Sequence, residues 1–458
     1  MPLRNTVLVG AIFVLLGAYI YFFELPKGDK EKSQPLLSFK QEDVAGMTLA
    51  YPGQEIQLRK ETSGRWRMTH PLQVPADEST ISGVLSALSA IEVKRTIEEK
   101  AGSEELKNFG LDKPQVKISI SLKGGGSLPP VLIGAKTPVG DSTYVKKETE
   151  PRVLLTSSLL SSSFEKKLHD FRDKKILDIS ENEVKQLTLK RAAGTLVLVR
   201  KGDEWFIDKP KPYRADQAEV QGILASLSTM FARDFVDNSR LDLKRYGLDR
   251  PFLQIGLDTA EKGQREILFG DRRQGNDEIY VTMHPEGTVY RVLESVLKSF
   301  DKDLTALRDK QVLSFAQDKV AKLQIDRAPD ESIVLVKTSD GEWAQGASKT
   351  EKPQQQAVMA YLAALGTLRA NGFAEDEPKE IKKYGLEPPA VRISLDDKDG
   401  KSLGTLLVGR SPNGYFAKRG SGPTVYDIDE LSYKQIDKHQ ENFLAKKAEA
   451  PPSNAPKK

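Results

Sequence analysis

Histidine and cysteine, the side chains most used for metal binding and for acid–base chemistry near neutral pH, are scarce or absent in this chain of 458 residues. Histidine occurs four times, at His70, His169, His284 and His439, and cysteine is absent. Without cysteine there are no disulfides, no thiolate metal sites and no thiol catalysis. A metal or general acid–base centre needs several donors converging on one point, and these histidines are isolated from one another in sequence. They read as solvated side chains. Gly270 to Gly275 has the glycine spacing that opens a phosphate-binding loop, but Asn276 and Asp277 stand where a lysine and a serine or threonine are required. Asp396, Asp397, Asp399 and Gly400 look like the start of a calcium loop until Lys398 falls on a ligand position and the twelfth position holds no glutamate. A hairpin turn accounts for them. Neither a Gly-x-Ser-x-Gly elbow nor a dinucleotide fingerprint is present. The expectation is therefore no catalytic residue, no metal, no cofactor and no enzyme.

Charge points the same way. Lys and Arg total 69 against 65 Asp and Glu, a net +4 on a long chain. The basic pairs Lys94-Arg95, Lys190-Arg191 and Arg272-Arg273 are short and flanked by acids, so they read as solvated faces and a nucleic-acid partner is not expected.

The elements that position these residues come in threes. At roughly 150 residues per domain, the length alone suggests three. Trp66, Trp205 and Trp343 lie 139 and 138 residues apart. In step with them run Phe109-Gly110-Leu111, Tyr246-Gly247-Leu248 and Tyr384-Gly385-Leu386, each followed by a proline, at Pro114, Pro251 and Pro388. An apolar residue and a glycine recur at Ile133-Gly134, Phe269-Gly270 and Val408-Gly409, and a tyrosine at Tyr144, Tyr280 and Tyr415. His70 falls on Lys209 and Ser348 in this register, so no histidine site repeats.

After each tryptophan an apolar stripe keeps its phase: Ile81, Val84, Leu85, Leu88 and Ile91, then Val220, Ile223, Leu224, Leu227 and Met230, then Val358, Tyr361, Leu362, Leu365 and Leu368. This spacing is one face of an amphipathic helix, with Asp77 and Asp216 placed as N-caps and Pro353 suited to the first turn of the third. Hairpins are expected around each tryptophan: 55–60 with 65–68, 195–200 with 204–207, and 332–337 with 341–344. Further hairpins are expected at 116–122 with 131–133, 253–257 with 266–269, and 391–395 with 405–408. A closing amphipathic helix carries Leu160, Phe164, Leu168 and Phe171, matched by Val296, Phe300, Leu304 and Leu307, while the third copy keeps only Ile436 and Phe443. The glycine of each Tyr/Phe-Gly-Leu triplet reads as a left-handed helix stop, with the leucine folding back. The tryptophans read as core residues.

At the N-terminus, Val7 to Phe23 is an uncharged run that includes Phe13, Leu16 and Tyr19. At about 1.5 Å per residue it just covers a bilayer core, and it is expected to be an uncleaved anchor. The expected fold is α+β: three tandem repeats of antiparallel sheet with packed helices, preceded by one transmembrane helix. The organisation is an anchor at 1–27, a linker at 28–35, repeats at 36–172, 173–308 and 309–447, and a proline-rich disordered tail at 448–458.

An N-terminal membrane helix, tryptophan hairpins about 140 residues apart, a P-x-x-x-P-A-D entry at Pro71 to Asp77 and the Tyr-Gly-Leu element with its proline are together similar to a bacterial family, the domain-of-unknown-function family four-three-four-zero. Its members are often encoded beside ABC-type transporters of the gliding-motility auxiliary kind. The third repeat departs by lacking the P-A-D entry. The resemblance implies a single-pass inner-membrane protein with periplasmic repeats, a non-enzymatic scaffold whose partners are the membrane and transporter components or other envelope proteins. An alternative is a module binding peptidoglycan or an exported glycan, with Tyr144, Tyr280 and Tyr415 stacking on sugars. A hydrolase with an unrecognised site ranks last.

Overall fold

The computed structural model describes residues 34–444 except 238–241, 261–262, 274, 285–286 and 347–351. The expected N-terminal anchor and the tail from 448 lie outside the described residues; among the described residues no helix is long and apolar enough to cross a membrane. The protein is mostly antiparallel sheet with a few helices. Two sheets have nine strands, one has eight, and a two-stranded pair (Gln34–Pro35 with Glu92–Val93) makes the fourth. The chain divides into two compact bodies. One runs to Lys175 and takes in Ala232–Phe235; the other holds Ile176–Phe231 and everything from Val236 on.

The first sheet is ordered Val74–Pro75, Trp66–His70, Gln54–Lys60, Val44–Tyr51, Val116–Leu122, Val131–Lys136, Ser142–Lys147, Val153–Ser157, Arg95–Glu98. The second repeats that order from Tyr213–Arg214 to Asp234–Asp237, and the third does so from Trp343–Gln345 to Gly372–Glu375 with one edge strand fewer. All six expected hairpins form, with Lys60 opposite Trp66, Arg200 opposite Trp205 and Lys337 opposite Trp343. The central strands Val44–Tyr51, Val184–Arg191 and Lys322–Arg327 were not among the expected elements, although each joins the two hairpins of its sheet.

Across one face of each sheet lies the amphipathic helix: α1 (Glu78–Ser89), α2 (Gln217–Ser228) and α3 (Gln355–Gly366). The fifteen stripe positions are all buried. Asp77 accepts a hydrogen bond from Thr80 N at 2.6 Å, and Asp216 from Ala218 N and Glu219 N, so both act as N-caps. The third helix departs. Pro353 precedes the cap instead of entering the first turn, and the cap residue Gln354 makes no side-chain capping bond. Gln355 instead reaches back across the neighbouring strand, accepting from Trp343 N at 2.6 Å and donating to Trp343 O at 2.9 Å, as Gln217 does for Trp205. The expected closing helix is broken. In the second copy it consists of Leu297–Phe300 and Leu304–Leu307, because the Asp301-Lys302-Asp303 linker recaps the chain through Asp303, which accepts from Ala306 N at 2.7 Å.

On the opposite face sits a second, smaller core. Leu406 and Val408 point into the helix-side core, while Leu407 between them packs with Leu386, Phe416 and Val425. That alternation is the two-residue period of a strand. Tyr246, Leu248, Leu268 and Val289 form the same cluster in the second copy. Here the Tyr-Gly-Leu element docks. Gly110, Gly247 and Gly385 have φ of 65°, 66° and 68°, the left-handed turn expected of them. The following leucine N–H closes the turn, Leu248 N donating to Leu243 O at 2.9 Å. A ring pair seals each cluster: Phe109 with Tyr144 at 4.6 Å, Tyr246 with Tyr280 at 4.9 Å and Tyr384 with Phe416 at 4.9 Å. Phe416, not Tyr415, is thus the structural match of Tyr144 and Tyr280. Tyr415 faces the other way and packs on Tyr433 at 4.6 Å.

Between the second and third copies, within one compact body, Arg308 is clamped. Its guanidinium carbon lies 3.8 Å from the Tyr213 ring centre and 3.6 Å from that of Phe373, and its two nitrogens meet the Asp376 carboxylate at 2.8 and 2.9 Å. Tyr213 and Thr424 hydroxyls donate to the same carboxylate. In the other body Arg172 stacks on Phe235 at 3.5 Å. Both arginines occupy the bridge position that Leu444 takes in the third copy, and Thr96 of the first copy stands at the position of Phe235 and Phe373.

Two measurements check this reading. Arg308→Ala leaves Asp376 half-buried without its cation and should cost about 3 kcal/mol in urea denaturation. Burial pushes the Asp376 carboxyl up, but the Arg308 and Thr424 hydrogen bonds outweigh it and hold it below its ordinary value of 3.8. The clamp's contribution is therefore full above about pH 4 and lost as pH falls through the depressed value, so variant and wild type converge in acid. Second, a Cβ on Gly270 would lie 2.2 Å from Tyr246 O, whereas one on Gly222 meets nothing. Gly270→Ala should destabilise by about 2 kcal/mol, and Gly222→Ala, on the open face of α2, should stabilise by about 0.5 kcal/mol.

Candidate functional site

The residues singled out as repeat markers are structural. Trp66, Trp205 and Trp343 are 8%, 6% and 4% exposed, each in the core beneath its helix. Gly134, Gly270 and Gly409 lie where the Tyr-Gly-Leu turn crosses the sheet; a methyl group there would sit 2.5, 2.2 and 2.3 Å from the carbonyl oxygens of Phe109, Tyr246 and Tyr384. Gly110, Gly247 and Gly385 form that turn. The site residues expected in the membrane anchor lie outside the described residues.

Among the described residues no group of three or more His, Asp or Glu side chains is arranged to hold a metal ion. His169 pairs with the adjacent Asp170 at 3.1 Å, and His284 lies 3.9 Å from Glu266. His439 is not isolated. Its Nδ1 is 2.9 Å from Glu331 Oε2, in a cluster where Arg327 reaches both Glu331 at 2.7 Å and Asp437 at 2.8 Å. Burial pushes the Glu331 carboxyl up, but the bonds from Gln440 N–H, Arg327 and His439 outweigh it and keep the carboxyl below its ordinary range. An ionised, fully engaged carboxylate is a brace and a poor general acid.

What the cluster braces is the closing segment of the third copy. The last carbonyl before the break in that segment is satisfied in every copy by a different donor: Tyr51 Oη to Phe164 O at 3.0 Å, Arg191 Nη2 to Phe300 O at 2.7 Å, and Tyr361 Oη to Ile436 O at 2.8 Å. Burial pushes the Tyr51 hydroxyl up to about 12 and raises the Tyr361 hydroxyl further, so both stay protonated donors across the physiological range. With Tyr361 serving the carbonyl, Arg327 is released to grip Asp437 and Glu331.

Between this braced segment and α3 lies a groove of about 480 Å³. One wall is Ala357, Ala360 and Ala364, the floor is Tyr361 and Phe443, and Lys438 stands at the rim. The outer positions of the helix differ between copies. α1 presents Ser82, Gly83 and Ser86, the serines hydrogen-bonded to Gln41; α2 presents Gln221, Gly222 and Ala225; α3 presents Met359, Ala360 and Ala363. Met359 is 47% exposed. An apolar outer face on one of three otherwise matched helices is the feature that fold maintenance does not require. Sequence reasoning passed over it because it followed the buried stripe; laying the exposed positions of the three helices side by side would have found it.

Ala357 replaces Glu219, which in the second copy pairs with Lys302 at 2.9 Å across this same gap. Ala357→Glu should therefore be accepted, rebuilding a pair with Lys438 and changing stability by no more than about 0.5 kcal/mol in thermal melts. A loss above about 2 kcal/mol would mean that the groove wall is packed core.

Comparison with known proteins adds a family. No curated protein matches the chain. Among solved structures, a DNA polymerase sliding clamp from Pseudomonas aeruginosa with ligand aligns at 8% identity over 86% of this chain and 93% of its own, with a TM-score of 0.14. The DNA polymerase III subunit beta from the same organism aligns at 9% over 86% and 94%, with a TM-score of 0.13. Such scores carry no fold assignment. The model of a domain of unknown function (DUF4340) matches three successive segments, 66–206, 205–374 and 352–455, the first two beginning at the repeat tryptophans. Covering the chain from the first tryptophan through the third copy, these matches show that the protein belongs to the DUF4340 family.

Proposed function

We propose that this chain is a membrane-anchored periplasmic scaffold that holds a protein partner, with an ABC-type transporter component as that partner. The observation that carries the reading is the apolar outer face of α3 beside the groove of about 480 Å³. Alanine at 360 and 363 suits a helix for its own sake, but the exposed Met359, and Ala357 where the second copy pairs a glutamate, replace polar side chains on this face, and a protein interface core is depleted in charge and enriched in methionine. Small side chains on the wall let a second helix come close. Copy one keeps two serines on this face and copy two keeps Gln221 and the paired Glu219, so the third copy is the working face and the others are its support. The anchor and the transporter follow from the N-terminal apolar run and from the family's expected gene neighbourhood.

Sugar stacking by Tyr144, Tyr280 and Tyr415 has no observation in its favour. Tyr144 and Tyr280 are sealed against Phe109 and Tyr246, and Tyr415 lies on Tyr433. The scaffold reading is checked by purifying the full-length tagged chain from detergent-solubilised native membranes. A transporter subunit should co-purify in near-stoichiometric amount; its absence under every mild detergent condition sinks the reading.

A further inference from the structure

The three copies keep a lysine two residues beyond the braced carbonyl, at Lys166, Lys302 and Lys438. In the second copy its partner is Glu219 on the first turn of α2, at 2.9 Å. The first and third copies keep the cation without that anion: Thr80 and Ala357 occupy the glutamate position, and neither Lys166 nor Lys438 forms an ion pair among the described residues, but in the third copy the position lines the apolar groove. The same exchange opens the groove, because the glutamate side chain that spans the gap in the second copy is missing. An unpaired charge at the rim of an apolar groove is half of a complementary pair.

We propose that the groove takes an amphipathic helix of another polypeptide, and that a carboxylate on that helix replaces Glu219 by pairing with Lys438. The proposal rests on the scaffold reading and adds the chemistry of the partner. A helix fits better than an extended strand, since both walls are side chains of helical segments and offer no free strand edge, while the alanines at 357, 360 and 364 form a shallow ridge against which a second helix can lie. The acid sets orientation and rejects partners that bring a lysine to the same place, since like charges there repel.

The test uses the full-length, membrane-anchored chain in its native cells, with a photoreactive phenylalanine analogue at position 360. Irradiation should give one adduct, mapping to a helix of another protein that carries an aspartate or glutamate. Ala357→Glu, which refills the gap and occupies Lys438 internally, should lower the adduct yield at least fivefold. Thr80→Glu, the same change in the first copy, should leave it unaltered. Lys438→Glu should also abolish the adduct, and changing the mapped acid to lysine should restore it, which separates a charge pair from a folding defect. An adduct insensitive to Ala357→Glu, one mapping to a segment without an acid, one joining two copies of this chain, or failure of the charge reversal overturns the proposal. If the transporter subunit still co-purifies in those cases, the scaffold reading survives and only the groove assignment falls.

Discussion

A strand and a helical turn cross in each copy with no room for a methyl group between them. At Gly134, Gly270 and Gly409 the sheet lies directly beneath the carbonyl of the aromatic residue that begins the Tyr-Gly-Leu element. Much follows from that contact. It lets a short turn cover the sheet face that the long helix leaves bare, so a single sheet buries both sides of one half without a third layer. The left-handed glycine that follows turns the leucine down into the second core, and the ring pair closes it. Because the element needs two glycines in fixed relation, it has been kept in every copy while much of the surface changed.

Where the copies differ, the differences follow position in the chain. Arg172 and Arg308 stack on Phe235 and Phe373, while Leu444 stands at the arginine position of the third copy and Thr96 at the ring position of the first. An arginine held between two rings and a bidentate carboxylate is specific in direction as well as strength, since a lysine would reproduce neither the stacking nor the fork. The third copy, with Leu444 in place of the clamp arginine, is also the one whose helix is the most apolar outside. Its closing segment is braced more heavily than the others, by Tyr361 from below and by Arg327, Glu331 and Asp437 from the side. A rigid wall beside an open groove is the preorganisation that an interface benefits from.

Much of this fold was legible in the sequence, and the parts that were not share a cause. The helix stripes, their aspartate caps, the tryptophan hairpins and the left-handed stops are all local, set by residues within a few positions of one another. The central strands were missed because Val44–Tyr51 and its counterparts pair with both hairpins at once, one of them about seventy residues away, and their alternation alone does not announce it. The closing helix was overextended because an apolar period runs on through Asp301-Lys302-Asp303 although the chain is recapped there. Tyr415 was placed in the wrong register because residue type outweighed position: the third copy has Tyr415-Phe416, and strand pairing puts the phenylalanine in the seat. His439 seemed isolated since its partners lie over a hundred residues earlier in the chain. The groove was invisible to any search for reactive side chains, being made of alanines.

The central claim is that Lys438, which has no carboxylate partner among the described residues, gains one from a partner protein. Competitive amine labelling tests it directly, comparing native membranes with the purified chain and reading Lys438 against Lys302. Lys302 is paired within the protein and should label equally in both. Lys438 should be several-fold less reactive in membranes than after purification. Equal labelling of Lys438 in the two preparations would contradict the account, for it would mean that nothing covers the groove where the protein works.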